Sequence, residues 1–331
     1  MPTSSDTKFR AEIAAMSQRV LITGGAGFVG QWLSRALLER GWSVFAGTIE
    51  GAPQAGVLSA QERAAICWTP LDVLSDASIR QAIDGSAPDR VVHLAGIAFA
   101  PEANASPVRT FEINALGAMR LLAALEPAGG AVRVLVVGSA EQYGAQEASA
   151  YPIGEGATLR PLTPYSVAKA AQELIALQAF RSTGIHIVCT RSFNHSGVGH
   201  GDNYLLPTLV RRVTRLPKAG GTLRIGNGKV IRDYLHVGDV VTAYILLLEQ
   251  GIAGEVYNVC SGEGTTVRDL AERVLKRAGV SADISSDAVL LRPVDVPILV
   301  GDNSKLRQAT GWTPKRSIDD IIDDLIHAAP R

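Results

Sequence analysis

The chain has little cysteine, few aromatic residues and no net charge. Its three cysteines, Cys67, Cys189 and Cys260, are odd in number and far apart in 331 residues. They form no CxxC pair and have no histidine at ligand spacing, so neither a disulfide framework nor a metal site is expected. Each lies in or beside an apolar run, which marks all three as small core residues. Phe, Trp and Tyr make up 5% of the chain, whereas glycine is plentiful at 33 residues, a balance that suits tight turns and close helix–sheet packing. Lys plus Arg and Asp plus Glu each total 32. A formal charge of zero argues against general electrostatic binding of nucleic acid, and no such partner is expected. No stretch approaches ~18 uninterrupted apolar residues, so no membrane span is expected either.

What is present is the material of a large core. Apolar residues make up 47% and charged residues 19%, and the length suits two domains or one α/β unit with an appended lobe. Residues 1–18 mix Ser, Asp, Lys, Arg and Glu without an apolar segment before a cleavage site. They read as a flexible extension rather than a signal peptide, and the protein as cytoplasmic.

From Arg19 to about Cys189, short apolar runs alternate with longer amphipathic stretches. Strands are expected at Arg19–Thr23, Ser43–Ala46, Ala65–Thr69, Arg90–Leu94, Val132–Val137 and His186–Thr190. Helices are expected at Gly30–Arg40 and Asp76–Asp84. The alternation predicts an α/β fold, a doubly wound parallel sheet of Rossmann type over residues 19–191. After Ser192 the rhythm changes. Short strands (Leu223–Ile225, Val256–Asn258) alternate with helices (Leu205–Arg215, Val237–Gln250, Val267–Arg277), and no long linker intervenes. Residues 192–331 read mainly as a smaller α/β lobe, with room for the chain to return to the sheet.

Between the first strand and first helix lie Gly24, Gly27 and Gly30. Glycine lets backbone approach a pyrophosphate, and the helix N-terminus supplies free N–H donors. At this place in the fold the triplet predicts a dinucleotide site. The ribose-sensing position at the end of the second strand is Thr48, where Asp or Glu is usual for NAD, and no Arg follows to meet a 2′-phosphate. NAD(H) and NADP(H) both remain open. Asp72, after the third strand, is placed to accept from the adenine amino group, or to cap a helix. Leu94, Ala95 and Gly96 are small enough, after the fourth strand, to let backbone approach the cofactor. His93 beside them reads as a packed strand residue. With Phe28, Val29 and Val73, these residues complete the expected cofactor contacts.

Tyr165 and Lys169 stand at i and i+4 in the run beginning Pro164, so they share one helix face. A phenol must drop ~3 units, ~4 kcal/mol, to exchange protons freely at neutral pH. A neighbouring ammonium and an oxidised nicotinamide can contribute much of that. Ser139 lies upstream in Gly138–Ser139–Ala140–Glu141–Gln142–Tyr143–Gly144, after a strand expected to end beside the cofactor.

With these motifs the chain, from about Arg19 to Trp312, resembles the extended short-chain dehydrogenase/reductases of the NAD-dependent epimerase/dehydratase family, which act on nucleotide sugars. The resemblance implies that Ser139 bonds the reacting sugar oxygen and that Tyr165 donates or accepts the proton. It implies that Lys169 lowers the tyrosine pKa and holds the nicotinamide ribose, with Asn114 in a supporting role. Tyr143 then shapes the sugar pocket or packs structurally. Glu141 matches the C5 base of the family's 4,6-dehydratases, but its neighbour here is Ala140, so it is expected first as a pocket residue and second as a base. In Arg191–Gly199, Asn194 would bond a phosphate oxygen. Arg232 and Arg292 would grip the diphosphate, and Asp295 the nucleotide ribose. Gly301–Leu306 and Trp312 would cap the nucleotide lobe.

These phrases most resemble those of GDP-4-keto-6-deoxy-mannose reductases. The expected activity is NAD(P)H-dependent reduction of the C4 ketone of a GDP-linked 4-keto-6-deoxyhexose. The alternatives are a 4,6-dehydratase or 4-epimerase that retains NAD(P), and, more remotely, a non-catalytic dinucleotide sensor. The resemblance also implies a homodimer joined through Asn104–Leu125 and Thr163–Arg181. A neutral chain that holds several phosphates must concentrate positive charge in its cleft.

Overall fold

A computed structural model describes residues 18–54, 56–217, 219–291 and 295–329. The chain opens with β1 (Arg19–Thr23), α1 (Phe28–Leu38), β2 (Ser43–Thr48), α2 (Ala60–Ala65), β3 (Cys67–Pro70), α3 (Asp76–Ser86) and β4 (Arg90–His93). It continues through α4 (Ala100–Ala105), α5 (Pro107–Phe111), a π-helical turn (Glu112–Leu116) and α6 (Gly117–Leu125) to β5 (Arg133–Ser139), α7 (Pro164–Thr183) and β6 (His186–Ser192). These six strands and a later one, β10 (Val256–Val259), form a parallel sheet in the order β10-β6-β5-β4-β1-β2-β3. Helices cover both faces, so the central strands are apolar along their whole length: Val20, Leu21 and Ile22 are fully buried. On one face α3, α6 and α7 enclose Leu21, Val134 and Ile187, and on the other α1 encloses Val20, Ile22 and Val188.

The remaining chain supplies β7 (Asn194–Ser196), α8 (Leu205–Thr214), β8 (Ala219–Ile225), β9 (Ile231–His236), α9 (Val237–Gln250), β11 (Gly264–Thr266), α10 (Val267–Ala278), β12 (Ser281–Ser286), β13 (Ile298–Leu299), α11 (Ser304–Thr310) and α12 (Ile318–Ala328). Strand β9 pairs with β7, β11 and β13, while β8 pairs with β12. Helices α8, α10 and α12 bury Leu209, Leu270 and Ile321 beneath this second layer.

Three expectations change. Ala65 ends a helix instead of starting a strand, because Ser59 and Glu62 form a reciprocal capping box: Ser59 N–H donates to Glu62 at 2.6 Å and Glu62 N–H to Ser59 Oγ at 3.2 Å. Strand β3 therefore begins at Cys67, on the sheet's edge, where this cysteine is exposed, while Cys189 and Cys260 are buried. The C-terminal phrase is shared between the two layers: Gly301 N–H donates to Asp233 of β9 at 3.3 Å and Asn303 Nδ2 to the Cys260 carbonyl at 2.9 Å. Leu306 and Trp312 pack into the core beside α1 and α9, and Trp312 Nε1 donates to the Asp239 carbonyl at 3.1 Å.

Candidate active site

A cavity of about 1170 Å³ lies beyond the carboxyl ends of the strands, between the sheet and the smaller layer. This is where doubly wound sheets bind ligands, at the point where the strand order reverses, here between β1 and β4. Gly24 and Leu94, which follow those two strands, both line it.

The glycine loop leaves no room for side chains. Gly24 has φ +69, and a Cβ there would lie 2.9 Å from Ala95 N; at Gly30 it would lie 2.6 Å from Gly25 O. Helix α1 starts at Phe28 and its N-cap, Gly27, brings no side chain to the first-turn N–H groups. Those donors face the cavity unshielded, a cradle that fits a dinucleotide pyrophosphate. Thr48 lines the wall beside Ile49 and Glu50. Its hydroxyl closes its own loop, donating to Gly51 O and accepting from Glu50 N–H, both at 3.2 Å. Val73, Leu94, Ala95 and Gly96 also line the cavity, as do Phe28 and Val29. Asp72 does not: its carboxylate accepts the Leu74 N–H at 2.9 Å in the turn before α3, whose N-cap is Ser75. One carboxylate oxygen thus braces that turn, and the adenine contact expected of the other stands as a proposal.

His93 is buried beneath this wall. Thr23 Oγ1 receives the Ala95 N–H at 3.1 Å and shares a hydrogen bond with His93 Nδ1 at 2.8 Å. The imidazole is neutral, its pKa pushed down to about 3 by burial and by Lys169. Asn114 sits in the π-helical turn, fully buried, and its amide pairs with both backbone groups of Ile97, at 2.8 and 3.0 Å. The extra residue of a π turn rotates this side chain inward, where it fixes the segment after Gly96.

Ser139 ends β5 and Tyr165 begins α7, which Thr163 caps and Pro164 initiates. Tyr165 and Ser139 both border the cavity, with Glu141 and Lys169, and the serine hydroxyl is placed to favour the ionised form of the phenol. Lys169 Nζ donates to the Val137 carbonyl at 2.8 Å, and burial brings its pKa down to about 8. Burial and then the Glu141 charge push the Tyr165 phenol up, against the opposing effect of Ser139. The expected lowering of the tyrosine pKa drew on Lys169 together with an oxidised nicotinamide; burial and the Glu141 carboxylate act against it, and Tyr165 is a neutral phenol here.

Asn194, Arg232 and Asp295 line the same cavity. Arg232 Nη2 donates to Asp295 Oδ1 at 2.6 Å and Nη1 to the Val296 carbonyl at 2.7 Å, so two residues expected to hold different parts of a ligand are joined as an ion pair. The buried Asn194 Oδ1 has no partner among the described residues. Arg292 lies outside the described residues. Tyr143 is fully buried and packs: its hydroxyl donates to Asn258 Oδ1 at 2.7 Å, and burial pushes it up to about 12.

Sequence reasoning missed the aromatic side of the site. His200 stacks between Phe28 and Tyr204, with ring centroids 4.5 and 4.0 Å away, and Phe99 meets Tyr204 edge-on. Seven of the chain's eighteen Phe, Tyr and Trp residues line this one cavity. Apart from Phe28 and Tyr165, which local motifs mark, they are scattered from Phe99 to Tyr244 with no pattern to announce them.

Glycine cradle, Tyr–Lys helix and serine turn on a seven-stranded parallel sheet define an NAD(P)-dependent enzyme of the extended short-chain dehydrogenase/reductase class. Within that class the chain matches the family model "GDP-mannose 4,6 dehydratase" over residues 21–325, and it belongs to this family. It is 33% identical to the GDP-6-deoxy-D-mannose reductase of Pseudomonas aeruginosa, covering 93% of this chain and 97% of that one. The solved structure of RMD from Pseudomonas aeruginosa complexed with NADPH superposes with a TM-score of 0.80 at 33% identity, covering 94% and 98% of the two chains. The UDP-glucose 4-epimerase of Thermus thermophilus, solved with NAD, gives a TM-score of 0.81 at 28% identity, again over 94% and 98%.

Proposed function

We propose that the protein reduces the C4 ketone of a GDP-linked 4-keto-6-deoxyhexose. The observation that carries this reading is that Ser139 and Tyr165, the latter a neutral phenol, line one cavity with the glycine cradle, Lys169 and Arg232. NAD(P)H, when bound on that cradle, supplies the hydride to C4. Ser139 Oγ accepts the Glu141 N–H at 3.2 Å, which leaves its own proton to polarise the substrate's C4 oxygen. Tyr165 then gives its proton to that oxygen as it gains charge, and recovers one from solvent. Lys169 places positive charge behind Tyr165, which favours the transient phenolate. Arg232 and the Asn194 amide, with its NH₂ turned outward, hold the diphosphate. The similarity to a reductase over nearly the full length of both chains supports the same reading.

A second reading, 4,6-dehydration or 4-epimerisation with retained NAD(P), is favoured by Glu141, a carboxylate on the same wall. One assay separates them. Reduction predicts stoichiometric loss of 340 nm absorbance when GDP-4-keto-6-deoxy-D-mannose is added with NAD(P)H. Turnover of GDP-mannose or another nucleotide sugar without net consumption of NAD(P)H overturns it.

We also propose a homodimer. Val108, Met119, Val167 and Leu174 expose apolar side chains on α5, α6 and α7, a surface suited to a second copy. Sedimentation should give twice the chain mass. No helix among the described residues is long and apolar enough to cross a membrane, and we place the enzyme in the cytoplasm.

A further inference from the structure

Beneath the serine turn runs a buried chain of polar side chains that the proposed chemistry does not use. The Ser139 N–H donates to Gln142 Oε1 at 2.9 Å, and Gln142 Nε2 donates to Glu173 Oε2 at 3.0 Å. Only one orientation of the Gln142 amide serves both partners, because a backbone N–H needs an acceptor and a carboxylate needs a donor. Glu173 in turn receives two bonds from Arg191, from Nε at 2.9 Å and Nη2 at 2.7 Å. Arg191 Nη1 continues to the Tyr143 hydroxyl at 3.0 Å and to the Glu155 carbonyl at 2.9 Å. Gln142, Glu173 and Arg191 are all buried.

The placement of Glu173 gives this chain its meaning. It stands at i+8 from Tyr165 and i+4 from Lys169, so all three fall along one face of α7. The upper two residues border the cavity; the third grips the turn that carries Ser139. Arg191 belongs to β6, the strand beside β5, and the chain from it leads directly to Asn194. One buried carboxylate therefore links the helix of Tyr165, the turn of Ser139 and the strand leading to the substrate end. Gly138 is tailored to the same arrangement: a Cβ there would lie 2.7 Å from Gln142 Oε1 and 2.4 Å from the Thr190 carbonyl.

We propose that Gln142, Glu173 and Arg191 are positioning residues, a buried relay that sets the distance between the Ser139 hydroxyl and Tyr165. They touch no substrate. The relay fixes where the serine hydroxyl stands, and a small displacement there costs rate without costing cofactor affinity. This inference rests on the reading that Ser139 and Tyr165 act together on a substrate carbonyl.

The test uses Gln142→Leu and Gln142→Glu in the full-length protein. Gln142→Leu should bind NAD(P)H within twofold of the parent and keep KM for GDP-4-keto-6-deoxy-D-mannose within about threefold, while kcat falls about 30-fold. Amide exchange in a peptide spanning 139–143 should rise at least tenfold, with the rest of β5 unchanged. Gln142→Glu can replace both bonds only while its new carboxyl is protonated, since two carboxylates in contact repel. It should therefore be active at low pH and lose kcat as pH rises, an ionisation that the parent lacks. Gln142→Leu with kcat within twofold of the parent and unchanged exchange would overturn the proposal, as would a Gln142→Glu profile identical to the parent's. Should Gln142→Leu fail to fold, the Gln142→Glu profile decides alone. A fully active Ser139→Ala variant would instead refute the roles given to Ser139 and Tyr165, and the exchange data would still report whether Gln142 holds the turn.

Discussion

Lys169 stands one helical turn from Tyr165, and its ammonium is held by the carbonyl of Val137 at 2.8 Å in a fully buried setting. Burial lowers its pKa from 10.5 to about 8, so the fold resists charging a group that the unfolded chain charges freely. Below pH 8 the folded protein carries this penalty in full, on the order of 3 kcal/mol, and the penalty fades as pH rises from about 8 to 10.5. Lys169→Met should thus unfold at no lower urea concentration than the parent at pH 7, with any advantage shrinking by pH 10. Turnover of the same variant should fall by roughly 100-fold. Equilibrium denaturation at the two pH values, beside a 340 nm assay, checks both halves.

Tyr165→Phe removes the proton donor and leaves the ring in place. Turnover should drop by about 10²- to 10⁴-fold, the usual worth of a positioned acid. NAD(P)H affinity, measured by fluorescence, should stay within a few fold, because the glycine cradle is untouched. Normal turnover in this variant would remove Tyr165 from the mechanism.

Asn114→Leu tests the segment that follows Gly96. The substitution strands the N–H and C=O of Ile97, each of which now bonds the Asn114 amide. Leaving two such groups unpaired costs about 1–3 kcal/mol apiece where they are shielded from water. The melting temperature should fall, and the Kd for NAD(P)H should rise by roughly tenfold as Leu94–Ile97 loosens, both readable in one thermal-shift titration.

Arg232→Met separates substrate binding from chemistry. The guanidinium comes from β9 of the second layer and is paired with Asp295. KM for the nucleotide sugar should rise by about 10- to 100-fold, while kcat and NAD(P)H affinity change little. A fall in kcat at unchanged KM would assign Arg232 to the reaction itself.

The local patterns were legible at sequence level wherever one element carried the whole signal. Gly24, Gly27 and Gly30 follow a buried strand and open a helix, and Tyr165 and Lys169 share a helix face, so the cradle and the Tyr–Lys pair could be read from spacing. Helix boundaries slipped where caps rather than apolar periodicity decided them, as at Ala65, which the Ser59–Glu62 box draws into a helix. The short strands β7, β11 and β13 carry two or three residues each, too few for a pattern, and exist because β9 offers them backbone partners.

What the sequence alone determined is the set of groups available: a glycine loop before a helix, a phenol beside an amine, a serine turn and an arginine in the second lobe. Tertiary structure decided their state. Burial and Glu141 keep Tyr165 protonated, Asp295 takes one side of Arg232, the turn before α3 takes one oxygen of Asp72, and Gln142 reaches across to Glu173. Each of these depends on desolvation or on a partner distant in the chain, and spacing along a sequence measures neither.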